Sequence, residues 1–183
     1  MKFTATEISG CYVLDPEPHL DERGSFTRLW CAEELKRHGM NTCVSQCSVS
    51  SNKIRGTLRG MHLQNTPHEE AKVVRCTRGA VFDVALDLRP GSPTYLRWEG
   101  FELTAENGRA LYIPEGCAHG FQTLANDTEV HYMISAPYVP GSGRTFRWND
   151  PAFGICWPMP EAVHISSRDA TAPDFDLQIR PKP

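Results

Sequence analysis

An all-β fold is predicted by three features of the chain: short segments of alternating character, frequent glycine and proline punctuation, and little sequence that favours helix. That pattern fits an antiparallel double-sheet sandwich or barrel. With 183 residues and 40% hydrophobic side chains, the chain is long enough to bury one sizeable core. One domain is expected over residues 1–183, with the proline-rich stretch from about Pro158 wrapping the barrel as a C-terminal extension.

The elements follow in order. CAEELKRHG, 31–39, holds good helix formers and ends at glycine, so a short helix is expected there. TLRGMHLQ, beginning at Thr57, reads as a strand. KVVRCTRG, 72–79, places Lys72 on one face with Val74 and Cys76, which turns its ammonium toward the interior. VFDVALDL, 81–88, puts Phe82, Val84, Leu86 and Leu88 on one face and Asp83 and Asp87 on the other. YLRWEGFEL and RALYI supply two further strands. EVHYMIS, 129–135, sets Tyr132 beside Val130 and Ile134, so its phenol points inward. Turn residues at 90–93, 107–108, 114–116 and 140–143 separate these runs.

Charge and composition exclude several classes. Lysine and arginine total 19 against 22 acids, a formal charge of −3, and no basic run marks a nucleic-acid partner. No apolar stretch is long enough to span a bilayer, so no membrane is expected. The opening MKFTATEISG lacks the apolar centre of a signal peptide, and a cytoplasmic protein is expected. Seven cysteines, with no CxxC pair, read as free thiols in a reducing compartment.

Two spaced patterns carry the chemistry. The first runs Gly56, His62, Gln64, Glu69; the second runs Gly108, Pro114-Glu115-Gly116, His119. They resemble the two motifs of the cupin superfamily, a double-sheet antiparallel jelly-roll barrel in which the motifs' polar residues converge inside. Metal-binding cupins carry a second histidine where this chain has Gln64, and glutamine is a poor ligand for a transition metal. One reading is a metal-dependent enzyme using His62, Glu69 and His119. Another starts from His62, Lys72 and Tyr132 sharing one interior, since buried charge is costly unless paired or put to use.

Longer motifs narrow the choice. RGTLRGMHLQ, AKVVRCTRGAVFDVALDLRPGSPTY, LTAENGRALYIPEGCAHGFQTL, FRWNDPAFGICWP and SSRDATAP, in that order, resemble the dTDP-4-dehydrorhamnose 3,5-epimerase family of sugar-nucleotide 4-keto epimerases. The resemblance runs from about Ile8 to Pro173. It implies inversion of C3, C5 or both in a nucleotide-linked 4-keto-6-deoxy sugar, in deoxysugar biosynthesis. Either hydrogen is acidic because its loss gives an enolate delocalised onto the C4 oxygen. Such a reaction needs a base on one face, an acid on the other and a donor at that oxygen. It requires no metal and no cofactor.

The resemblance also implies roles. His62 would be the base, Asp169 its orienting carboxylate, Lys72 the partner of the enolate oxygen and Tyr132 the acid of the other face. His119 would line the sugar pocket. Arg23 and Arg59 match arginines near the diphosphate, Phe26 an aromatic beside the nucleotide base, and Gln46 a glutamine that contacts that base. Arg168 stands where the family often has lysine. Three departures fall on the nucleotide side: Arg28 and Gly143 replace glutamates, and Ser48 replaces an asparagine. Exchanging a carboxylate for a guanidinium reverses the hydrogen-bonding sense, so a nucleotide or sugar other than that of dTDP-4-keto-6-deoxyglucose is expected. The family further implies a homodimer in which N-terminal strands complete the partner's sheet and bring Arg23 or Phe26 to the neighbouring site. A non-catalytic sugar-nucleotide binding protein is the third reading; it leaves the acid and the base without a purpose.

Overall fold

The computed structural model describes residues 1–161 and 163–176. In chain order the elements are β1 (Lys2–Ala5), β2 (Tyr12–Asp15), β3 (His19–Asp21), β4 (Gly24–Phe26), α1 (Ala32–Arg37), β5 (Gln46–Asn52), β6 (Thr57–Gln64) and β7 (Lys72–Arg78). They continue as β8 (Ala80–Asp87), β9 (Trp98–Thr104), β10 (Ala110–Ile113), β11 (Cys117–Thr123), β12 (Thr128–Ile134), β13 (Gly143–Thr145), β14 (His164–Ile165) and α2 (Ser167–Ala170).

Two sheets face each other. One has the order β1-β2-β10-β7-β12-β5, the other β13-β6-β11-β8-β9, with β14 added in parallel to β6. Every other pairing in them is antiparallel, which is the jelly-roll arrangement the sequence predicts. β3 and β4 form a hairpin that belongs to neither sheet. The N-terminal strands were implied by the family resemblance alone: they are three or four residues long, too short for alternation to be read. β9 begins at Trp98 rather than at Tyr95 because Leu96 turns the chain with φ +63°, outside any strand conformation.

Three apolar layers hold the sheets. Between them lie Val74, Cys76, Val81, Ala85, Leu103, Phe121 and Val130. Outside the first sheet, Leu35 of α1 and Met40 cover Val73, Ala110 and Tyr112. Outside the second, Phe146, Phe153, Ile155 and Trp157 cover Val84, Leu86 and Ala118. Burial of each large side chain of this kind contributes about 1.5–3 kcal/mol. The alternation of β8 is as expected, but its aspartate face is the one turned into the barrel. Its apolar face is closed from outside by the chain that follows β13. The expected wrapping of the tail over 177–183 falls outside the described residues. All seven cysteines are free, and Cys11, Cys76 and Cys117 are buried.

Two glycines let β6 and β11 approach closely. A Cβ on Gly60, whose φ is +127°, would lie 2.5 Å from the Cα of Gly120. Any side chain there would push apart the two strands that carry His62 and His119.

Candidate active site

A cavity of about 710 Å³ opens between the sheets, within the size range of small-ligand sites. One wall is β6 and β11, bearing Arg59, His62 and His119. The opposite wall is β5, β7 and β12, bearing Gln46, Ser48, Lys72 and Tyr132. Arg168 and Asp169 close one side from α2.

His62 binds Asp169 through Nε2, at 2.8 Å from Oδ1. Asp169 is held in turn by the Gly60 amide, which donates to Oδ2 at 3.3 Å, and by its own amide, which donates to the Ser166 hydroxyl capping α2. Burial alone would push this carboxyl up, but the bond and charge of His62, the Gly60 amide and Ser166 outweigh it and hold it below the ordinary aspartate range. With Nε2 committed to Asp169, Nδ1 is the atom left to exchange a proton with a ligand. The His62 side chain is 39% exposed, that of Asp169 6%.

Tyr132 sits on the other sheet, half-buried against the interior core. Burial, then the nearby Asp83 charge, pushes its phenol far above the ordinary tyrosine value, against a smaller opposing pull from Arg59. It therefore stays protonated across the working range of a protein. Lys72 donates from Nζ to Glu70 Oε1 at 3.1 Å and to the backbone oxygen of His62 at 3.4 Å. His119 lies edge-on to Tyr132, ring centres 5.9 Å apart, and binds Asp83 through Nε2 at 2.7 Å.

Arg59 donates through Nε to Asn52 Oδ1 at 2.8 Å, which fixes its stem and leaves the terminal nitrogens for an anion. Gln46 donates to the backbone oxygen of Ala136, and Ser48 lies beside it on the cavity wall. Arg168 lies near Gly143: a Cβ there would be 3.8 Å from its guanidinium.

Arg23, Phe26 and Arg28 are not brought to this cavity. Arg23 pairs with Asp21 on the free hairpin, Phe26 is 75% exposed on it, and Arg28 pairs with Glu34 of α1 at 2.9 Å. Nor is the metal set His62, Glu69, His119 assembled. Glu69 accepts from the Thr66 hydroxyl and lines a separate cavity. Gln64 is fully occupied: Oε1 accepts from the Val139 amide and the Ser142 hydroxyl, while Nε2 donates to the carbonyls of His68 and Pro137. Among the described residues no group of three His, Cys, Asp or Glu side chains is placed to hold a metal ion.

Two site carboxylates escaped the sequence reading. Asp83 shares parity with inward-facing Val81 and Ala85, and Glu70 shares a face with Lys72 two residues on. That parity was the available signal in both cases.

A jelly-roll barrel with an open, carboxylate-paired histidine on one sheet and a protonated tyrosine on the other is an architecture suited to a proton-transfer isomerase. The family model described as dTDP-4-dehydrorhamnose 3,5-epimerase matches residues 5–176. The chain is 40% identical over 175 residues to dTDP-4-dehydrorhamnose 3,5-epimerase of Sinorhizobium fredii, covering 96% of this chain and 90% of that protein. The crystal structure of the Elizabethkingia anophelis enzyme of the same name superposes with a TM-score of 0.92 at 37% identity, covering 96% of both chains. The 3,5-epimerase of Legionella pneumophila in complex with dTDP-4-keto-L-rhamnose gives 0.87 at 35% identity, covering 93% and 90%. The chain belongs to the dTDP-4-dehydrorhamnose 3,5-epimerase family.

Proposed function

We propose that the protein epimerises a nucleoside-diphosphate 4-keto-6-deoxy sugar by proton transfer through an enolate. The observation that carries this is the opposition of the His62–Asp169 pair to Tyr132 and Lys72 across one cavity. Nδ1 of His62 takes the hydrogen from C3 or C5, and Asp169 stabilises the imidazolium that forms. The Lys72 ammonium neutralises charge gathering on the C4 oxygen. Tyr132 delivers its proton to the opposite face, which inverts the centre; before the next turnover His62 gives its proton to solvent and Tyr132 regains one. His119 packs on the sugar, Arg59 and Arg168 receive the diphosphate, and Gln46 and Ser48 receive the nucleotide base.

For the nucleotide we favour thymidine, against the expectation drawn from Arg28, Ser48 and Gly143. The relatives are named for it, and Arg28 is tied to Glu34 outside this chain's cavity. Ser48 and Gly143 line the cavity with smaller, uncharged residues, which leaves room for the base and puts no new charge beside it. A homodimer and a cytoplasmic location accompany this reading. Leu20 and Phe26, 78% and 75% exposed on the hairpin, are apolar surface that a second copy would cover, bringing Arg23 to its cavity. Seven free thiols fit a reducing compartment.

The test is proton NMR of dTDP-4-keto-6-deoxyglucose in heavy water, with the CDP, GDP and UDP sugars beside it. Deuterium entering C3 or C5 with the wild type is the expected result. No exchange into any of the four sugars would overturn the reading.

A further inference from the structure

Glu70 is a buried charge on the cavity wall that the mechanism above leaves without a task. It precedes β7 by two residues, lines the cavity, and its side chain is 6% exposed. Oε1 meets Lys72 Nζ at 3.1 Å; Oε2 is buried with no hydrogen-bond partner among the described residues. Leaving a carboxylate oxygen so placed costs free energy, so the group is not there for its own stability.

Its effect falls on Lys72. An ammonium has three donors on a flexible stem of four carbons, and without anchors it samples many positions. Here one donor goes to Glu70 across the strand face and a second to the backbone oxygen of His62 on the facing sheet. Two anchors on different sheets leave one N–H, in one direction. We propose that Glu70 is a positioning residue that acts through Lys72, holding the ammonium so that its remaining N–H meets the developing oxyanion at C4. This rests on the epimerase reading and adds to it a residue that never touches the substrate.

The consequence is a loss in turnover rather than in binding. Glu70→Ala is expected to lower kcat at least about tenfold while KM stays within about twofold, since misplacing a catalytic group raises the barrier without loosening the nucleotide. Glu70→Met, which fills the volume but offers no acceptor, should lose as much, and serves if the alanine variant does not fold. Glu70→Gln retains an oxygen toward Nζ and should stay within about threefold of wild type. In a Lys72→Met background, removing Glu70 should change the deuterium exchange rate by less than about twofold, as expected for two residues acting as one unit. Wild-type turnover in folded Glu70→Met, or an equal loss with and without Lys72, overturns the proposal. Wild-type exchange on the same dTDP sugar is the control: its absence defeats the epimerase reading, whereas its presence with unaltered Glu70 variants defeats this inference alone.

Discussion

His62 and His119 are register partners on β6 and β11, and each binds an aspartate through Nε2, at 2.8 and 2.7 Å. The two pairs otherwise differ throughout. The His62 side chain is 39% exposed to the cavity and that of His119 only 6%. Asp169 comes from a short helix 107 positions along the chain and is held by an amide and a cap, whereas Asp83 belongs to the barrel wall and leaves Oδ2 without a hydrogen-bond partner among the described residues. Accessibility, not the pairing, separates a histidine that can exchange protons with a ligand from one that shapes the cavity. A barrel strand can supply the second kind by itself. The first needs a carboxylate brought from outside the sheets, where the ring can stay open to the ligand.

The largest effect expected is for His62→Ala, which should cut deuterium exchange at C3 and C5 by roughly a thousandfold, the scale of general base catalysis. If His119→Ala costs as much, the two pairs are equivalent and the comparison fails. Asp169→Asn should follow with about a hundredfold loss in kcat, because an amide permits the wrong imidazole tautomer. His119→Asn should cost about tenfold and be seen mainly in KM, as expected for a side chain that lines the sugar pocket. The smallest effect is on stability against pH. The Asp169 carboxyl is held below its ordinary range, so the ionised carboxylate stabilises the fold above the unfolded value of about 4, and the contribution is lost as pH falls through the lower, folded value. Thermal melts of wild type against Asp169→Asn should therefore differ near neutrality and converge below about pH 4.

Much of the barrel could be read in advance. β6 spans Thr57–Gln64 as expected, an eight-residue run bounded by the turn residues Gly56 and Asn65. Tyr132 and Lys72 were placed inside by parity with Val130 and Val74, and both line the cavity. Asp169 could not be found that way. It sits in a four-residue helix whose local sequence carries no periodicity, and only the family resemblance singled it out. Alternation separated the two faces of β8 without saying which turns inward; the covering layer of Phe153 and Trp157 lies more than sixty residues on, and nothing in VFDVALDL announces it. Arg23 and Phe26 were expected at the site only by resemblance, and the chain carries them on its surface.

Gln64 gives the barrel a commitment that is mechanical rather than chemical. Its amide ties four groups, spread over His68, Pro137, Val139 and Ser142, into one clasp at the cavity wall, and Tyr138, held between two of them, lines the cavity as well. An imidazole at this position could not accept and donate in the same four directions. Restoring the second histidine of a metal-binding cupin would therefore loosen this part of the wall at the same stroke. The two chemistries are separated by how a wall is tied together as well as by a ligand.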